Sequence, residues 1–171
     1  MTSDPIYSES VTSNKTEALF VALAILFFLP FAWQARDGVI GPLGVLFFCL
    51  FAVFLFYVLN YRTLIIRLNK DAMKLAFGLF TWTISLDNVE ECRLDEIPVL
   101  MKMGGAGIHF MFIRQRYRAS FNFLEYPRLV VALKRKVGPV RDISFSTRRP
   151  DELLRVIREA VSLSLIHISE P

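Results

Sequence analysis

The chain has 171 residues, 54% hydrophobic and 13% aromatic, with a formal net charge of +4 and two cysteines. Its apolar load is piled into the first third, a membrane signature rather than the composition of an evenly mixed soluble domain. Cys49 lies inside an apolar run and Cys92 far outside it, which excludes a disulfide framework and a Cys-based metal site.

Residues 1–17 read as a polar N-terminal tail. It carries a single lysine, Lys15, ahead of the first apolar run, a poor match to a cleavable signal peptide. From Ala18 to Trp33 no charge appears, and with Ala35 at the far end the run predicts a first transmembrane helix over about residues 18–35. Val39 to Leu59 is a longer uncharged run with Tyr57 and Tyr61 as interface anchors, and it predicts the second helix over 39–59. Only Gln34 to Gly38 joins the two, so they form a hairpin. Arg62, Arg67, Lys70 and Lys74 follow the second helix, whereas the connection holds only Arg36. The positive-inside rule therefore predicts a protein of the cell membrane, crossing it twice with both termini cytoplasmic.

From residue 62 the pattern changes to short alternating runs parted by turn residues, the signal of antiparallel strands. This part holds 18 Lys and Arg against 12 Asp and Glu, a basic domain beside a bilayer. Strands are expected at Thr63–Leu68, Lys74–Leu79, Thr81–Leu86, Val89–Leu94, Ile108–Ile113, Ala119–Leu124, Arg128–Lys134 and Val140–Phe145, in a meander. Pro150 then fits a first helical position, with Asp151 and Glu152 in the first turn and Leu153, Leu154, Ile157 and Val161 on one face. The cytoplasmic domain spans 62–161. The tail 162–171 (SLSLIHISEP) loses the helical period and resembles a translated sequencing adapter, so it is expected to be non-native.

Three segments carry a family resemblance: Trp82 to Val89 (WTISLDNV) after a strand pair, Gly104 to Ile108 (GGAGI) opening a strand, and Ser146 to Leu154 (STRRPDELL). With the helical hairpin before them, they resemble the bacterial and archaeal PH-like membrane proteins, over most of residues 18–161. The resemblance implies a mainly-β domain, a partly open barrel of about seven antiparallel strands in two orthogonal sheets, capped by the C-terminal helix. It also implies a membrane-anchored scaffold or interaction module without catalytic residues.

One cluster suggests a binding role. Arg114, Arg116 and Arg118 with Tyr117 make a guanidinium-rich hairpin tip suited to phosphate oxygens. Lys134, Arg135, Lys136 and Arg141 form a second basic hairpin. If both tips face the bilayer, each charge adds about 1 kcal/mol of attraction to an anionic leaflet; a solvated pair of turns is the plainer reading. Gly104 to Gly107 lacks the residues of a phosphate loop and reads as a turn or a close backbone approach. His109 has no second ligand at metal spacing and reads as a packed histidine. Glu90, Glu91, Asp95 and Glu96, interrupted by Arg93, read as a solvated face, and no nucleophile and base pair emerges.

The expected function is therefore non-enzymatic, with no cofactor and no metal. The domain would bind a protein partner or anionic lipid at the membrane surface, self-association being open and nucleic acid not expected. The alternative is an oligomeric transport or channel subunit, against which stands the absence of any intramembrane charge.

Overall fold

A computed structural model describes residues 5–36, 38, 40–95, 107–113 and 115–168. The first element falls inside the expected polar tail: β1, Tyr7–Thr12, is a strand that alternates buried and exposed residues. Ser13 then caps helix α1, Asn14–Arg36, its hydroxyl oxygen accepting from the Thr16 backbone N–H at 3.1 Å. Helix α2, Pro42–Asn60, returns the chain. It is entered through Gly41 with Pro42 in the first turn, a favoured helix start.

At 1.5 Å per residue the 23 and 19 residues of α1 and α2 give lengths of roughly 34 and 28 Å, matching a ~30 Å hydrocarbon core. Both are long and apolar enough to cross a membrane. Rings hold them together: Phe31 on Phe48, Phe28 on Phe51 and Phe27 on Phe54, with centroids 5.1, 5.1 and 5.5 Å apart. Many of their other apolar side chains, among them Leu26, Leu29, Trp33, Leu43 and Val45, are exposed.

The remaining strands are β2 Thr63–Leu68, β3 Ala72–Phe77, β4 Phe80–Ser85, β5 Val89–Leu94, β6 Gly107–Ile113, β7 Arg116–Asn122, β8 Arg128–Val137 and β9 Val140–Ser146. Helix α3, Pro150–Ile168, ends the described chain. Two sheets and a C-terminal helix are present as expected, but the sheets, β1-β2-β3-β4 and β5-β8-β9-β7-β6, hold four and five strands rather than about seven in all and do not close into a barrel. Nor is the sheet a pure meander. After β7 the chain passes β9's place to form β8, so β9 returns between them and pairs in parallel with β7, Arg118 opposite Asp142.

The inner faces share one core, including Leu64, Ile66, Leu75 and Phe77 from the first sheet and Phe121, Val131, Ile143 and Phe145 from the second. Leu153, Ile157 and Ala160 of α3 are buried in it, while Leu154 and Val161 are only partly covered. The helix runs on to Ile168, past the point where its apolar period stops.

Because β1 pairs with β2 antiparallel, Thr12 opposite Thr63, the helical hairpin is an insertion in the bend of a β-hairpin. Both helices therefore leave from one end of the sheet domain. Their ends are fixed there by several contacts. The Leu124 N–H donates to Thr16 Oγ1 at 3.2 Å, Arg62 pairs with Glu17 at 2.9 Å, and the Tyr61 ring lies 5.0 Å from Phe77.

Candidate functional site

The opposite end of the domain holds the basic hairpins. In β6 and β7, Gly107 opposite Asn122 lies at the helix end, and Ile113 opposite Arg116 at the far end. Gly107 has φ +86°, and a methyl group there would run into the Tyr57 ring, so this glycine makes a close backbone approach to the hairpin. Seven strand residues at about 3.3 Å each separate it from the tip by roughly 20 Å. The β8–β9 turn reaches the same far end, because β9 runs beside β7 in the same direction.

The two tips enclose an open cleft of about 660 Å³ lined by Phe112, Gln115, Arg116, Tyr117, Lys136, Pro139 and Arg141. Gln115 makes the β6–β7 turn in a left-handed conformation, φ 65°. Phe112, 76% exposed, packs on Tyr117 with ring centroids 4.9 Å apart, and Tyr117 stacks on Phe110 at 5.9 Å. Aromatic walls with basic rims favour a ligand that is both anionic and partly apolar.

The six basic residues expected at an anionic contact take different positions. Arg116 and Lys136 line the cleft. Arg116 Nη1 donates to Glu90 Oε2 at 3.1 Å and to Asp142 Oδ1 at 3.4 Å, and these two hydrogen bonds, Glu90 first, raise its pKa above the ordinary guanidinium value. Arg118 is not a surface group. It is 2% exposed, with Nη1 3.0 Å from Asp95 Oδ1 and Nη2 3.4 Å from Asp142 Oδ2. Lys134 and Arg135 turn toward the loop before β5, Lys134 Nζ donating to the Asp87 carbonyl at 2.9 Å and Arg135 Nη2 to its carboxylate at 3.0 Å. A hydrogen bond from Ser85, with help from Arg135, holds the Asp87 carboxyl below the usual range. Arg114 lies outside the described residues, as do Glu96 and the segment Gly104 to Ala106.

Arg141, on the rim, has no ion pair among the described residues, and neither does Lys136. These two carry the cleft's unneutralised charge. Glu90 and Glu91 are exposed, as a solvated acidic face requires, Glu90 pairing with Arg116 at the surface; the expectation is corrected at Asp95, whose carboxylate is buried under Arg118. Desolvation forces the buried Asp95 and Asp142 carboxylates to find cations, and Arg118 of β7 supplies one to both. Of the aromatic walls, Tyr117 is legible in the sequence and Phe112 is not: Phe110 and Phe112 share a face of an ordinary-looking apolar strand, and nothing local marks that face as exposed.

His109 is partly buried in β6, opposite Ser120. Burial, with the Arg128 charge adding to it, lowers its pKa below the ordinary histidine value. The imidazole therefore stays neutral at physiological pH.

Fold and site together define a two-sheet β domain that carries an apolar helical hairpin at one end and a basic, aromatic-walled cleft at the other. No protein family model, curated protein or solved structure matches the chain significantly.

Proposed function

We propose that the protein is a membrane-anchored interaction module, with the hairpin crossing the bilayer and the sheet domain presenting its cleft on the cytoplasmic side to an acidic segment of a protein partner. The membrane reading rests on the outward apolar faces of α1 and α2. Only Thr16, Phe20 and Ala24 of α1 and Gly44 of α2 are buried, which a helix in a soluble core would not show. The cytoplasmic side follows from the basic residues after α2.

The observation that carries the interaction role is the separation of the two surfaces. A cleft roughly 20 Å from the helix ends is held away from the headgroups of its own bilayer, which supports a protein partner over the lipid beneath it. Lys136 and Arg141 supply charge, while Phe112 and Tyr117 supply apolar contact area. The hairpin, strands and C-terminal helix follow one another as in PH-like membrane proteins, which supports that kinship. Strand β1 and the parallel β7–β9 pair depart from it.

The test uses the full chain in neutral-lipid nanodiscs, titrated with a Glu-rich decapeptide bearing one Tyr and, separately, with anionic vesicles. Peptide binding that weakens with salt and falls at least tenfold in Lys136→Glu/Arg141→Glu supports the proposal. Binding to anionic vesicles without peptide binding moves the role to headgroup recognition on a facing membrane. No binding of either probe overturns the cleft as a site.

A further inference from the structure

The turn between β3 and β4 is apolar where turns are usually polar. Leu79 is 76% exposed and Phe80 50%, and no charge lies between Lys74 and Asp87 in the sequence. The turn is held at a defined height. Gly78 has φ +60°, and its Cα packs so closely on the Asn60 carbonyl oxygen that no side chain fits between them. The Phe80 ring lies 6.2 Å from that of Tyr61.

Asn60 is the last residue of α2, and Leu59 beside it is 69% exposed. Leu79 and Phe80 thus extend the apolar surface of the helix sideways at the level where α2 ends; Tyr61, expected as an interface anchor, is instead buried in the domain core beneath them, with Tyr57 partly buried against it. Lys15, Glu17 and Arg62 sit at the same end, where charged groups meet headgroups.

Resting on the membrane reading above, we infer that the Leu79–Phe80 turn inserts into the interface of the same bilayer that α1 and α2 cross. It acts as a third anchor that fixes how the sheet domain stands on the membrane. Large apolar side chains at an interface bury about 5–10 Å into the headgroup and acyl boundary. With the turn seated there, the domain cannot swing about the helix ends, and the cleft points away from the surface.

The test is nitroxide accessibility on the full chain in liposomes. Cys49, exposed on α2, is labelled in the native protein as the mid-bilayer reference. Leu79→Cys and Lys136→Cys are labelled in a Cys49→Ala background. Buried Cys92, whose thiol burial pushes up to about 12, stays unlabelled at neutral pH.

The inference expects the ratio of oxygen to nickel-chelate collisions at 79 to lie well above that at 136 and toward that at 49. A water-like ratio at 79 with a lipid-like ratio at 49 overturns the third anchor and leaves the membrane reading standing. A water-like ratio at 49 removes both. Spin–spin broadening at 79 that disappears on dilution with unlabelled protein shows a second copy seated on the turn, and also overturns the inference.

Discussion

The two sheets solve the same packing problem differently. In the first, burial alternates along β2 and β3, so one face meets the core and the other meets water. In the second, β7, β8 and β9 run through five or six consecutive buried residues, so both faces are covered. The face turned away from the core is largely polar: Arg118, Ser120, Asn122, Asp142 and Ser144 are all buried. A plain amphipathic sheet needs only the right alternation. A sheet buried on both sides must also satisfy every polar group it encloses. The two terminal nitrogens of Arg118 do so by bridging Asp95 and Asp142, although its Nε is left without a partner, and Ser146 Oγ by accepting from the Phe123 N–H at 2.9 Å.

The largest expected effect breaks the first sheet at β1. A chain beginning at Arg62 loses Val11 and Tyr7 from the core and uncovers the pairing edge of β2. Burial of two such side chains is worth about 3–6 kcal/mol, comparable with the whole stability of many domains. Urea unfolding should show residues 62–168 unfolded or aggregated. Because Thr12 and Thr63 are paired, residues 5–12 joined through Asn-Gly to residues 63–168 should fold as a soluble domain without the helices. Equal cooperativity in both chains would show that β1 is dispensable.

The second sheet breaks at Arg118. Replacing it by Ala leaves Asp95 and Asp142 facing each other in a buried site, and losing one partner of a buried pair costs about 3–5 kcal/mol. Lys74→Ala, on the exposed face of β3, should stay within about 0.5 kcal/mol of the parent. Thermal unfolding of the full chain in one detergent compares the two. Equal melting temperatures would mean that the arginine contributes nothing its alanine variant lacks.

This contrast explains which parts of the fold were legible in sequence. The sequence expectation for Thr63–Leu68 and Val89–Leu94 has the observed limits, because their alternation or their flanking turn residues announce them. The strand YSESVT at 7–12 reads as tail because its inward positions include Glu9, and a charge among two apolar residues erases the pattern. Glu9 is tolerated because the Tyr7 hydroxyl donates to it at 2.9 Å and, from about 138 residues away, Thr147 Oγ1 at 2.6 Å and the Arg148 N–H at 2.9 Å. Arg116 to Arg118 reads as part of a hairpin tip for the same reason. Its charges belong to a strand whose carboxylate partners come from β5, β9 and the residue after β5. The adjacency of the two basic tips depended on the parallel β7–β9 pairing, which no local signal encodes.

A smaller effect sharpens the comparison at the turns. Gly78 between β3 and β4 and Gly138 between β8 and β9 share φ +60°, so alanine at either suffers the left-handed penalty of about 1–2 kcal/mol. A methyl group at Gly138 points into open space, whereas at Gly78 it meets the Asn60 carbonyl. Gly78→Ala should therefore lower the melting temperature more than Gly138→Ala. The difference measures how firmly the first sheet rests on α2, and a null difference would mean that the turn moves away at no cost.

The smallest effect titrates the second sheet. Cys92 on β5 is buried, and desolvation raises its thiol from 9.0 to about 12, outweighing the opposing pull of Arg158. A raised thiol pKa means that above pH 9 the unfolded chain releases a proton that the folded chain keeps. The contribution is complete below pH 9 and falls as pH rises toward 12. At pH 10 the loss is about 1.4 kcal/mol, one pH unit of linkage. Cys92→Ala should flatten this part of the alkaline decline relative to the parent, measured as unfolding free energy between pH 8 and pH 10.5. The same burial should leave Cys92 unreactive to a maleimide at pH 7.5 until denaturant opens the second sheet, so labelling rate and pH slope should change together. A parallel slope in the variant would place the alkaline sensitivity elsewhere, with Tyr7, whose phenol is raised by burial and then by its hydrogen bond to Glu9, as the group to replace next.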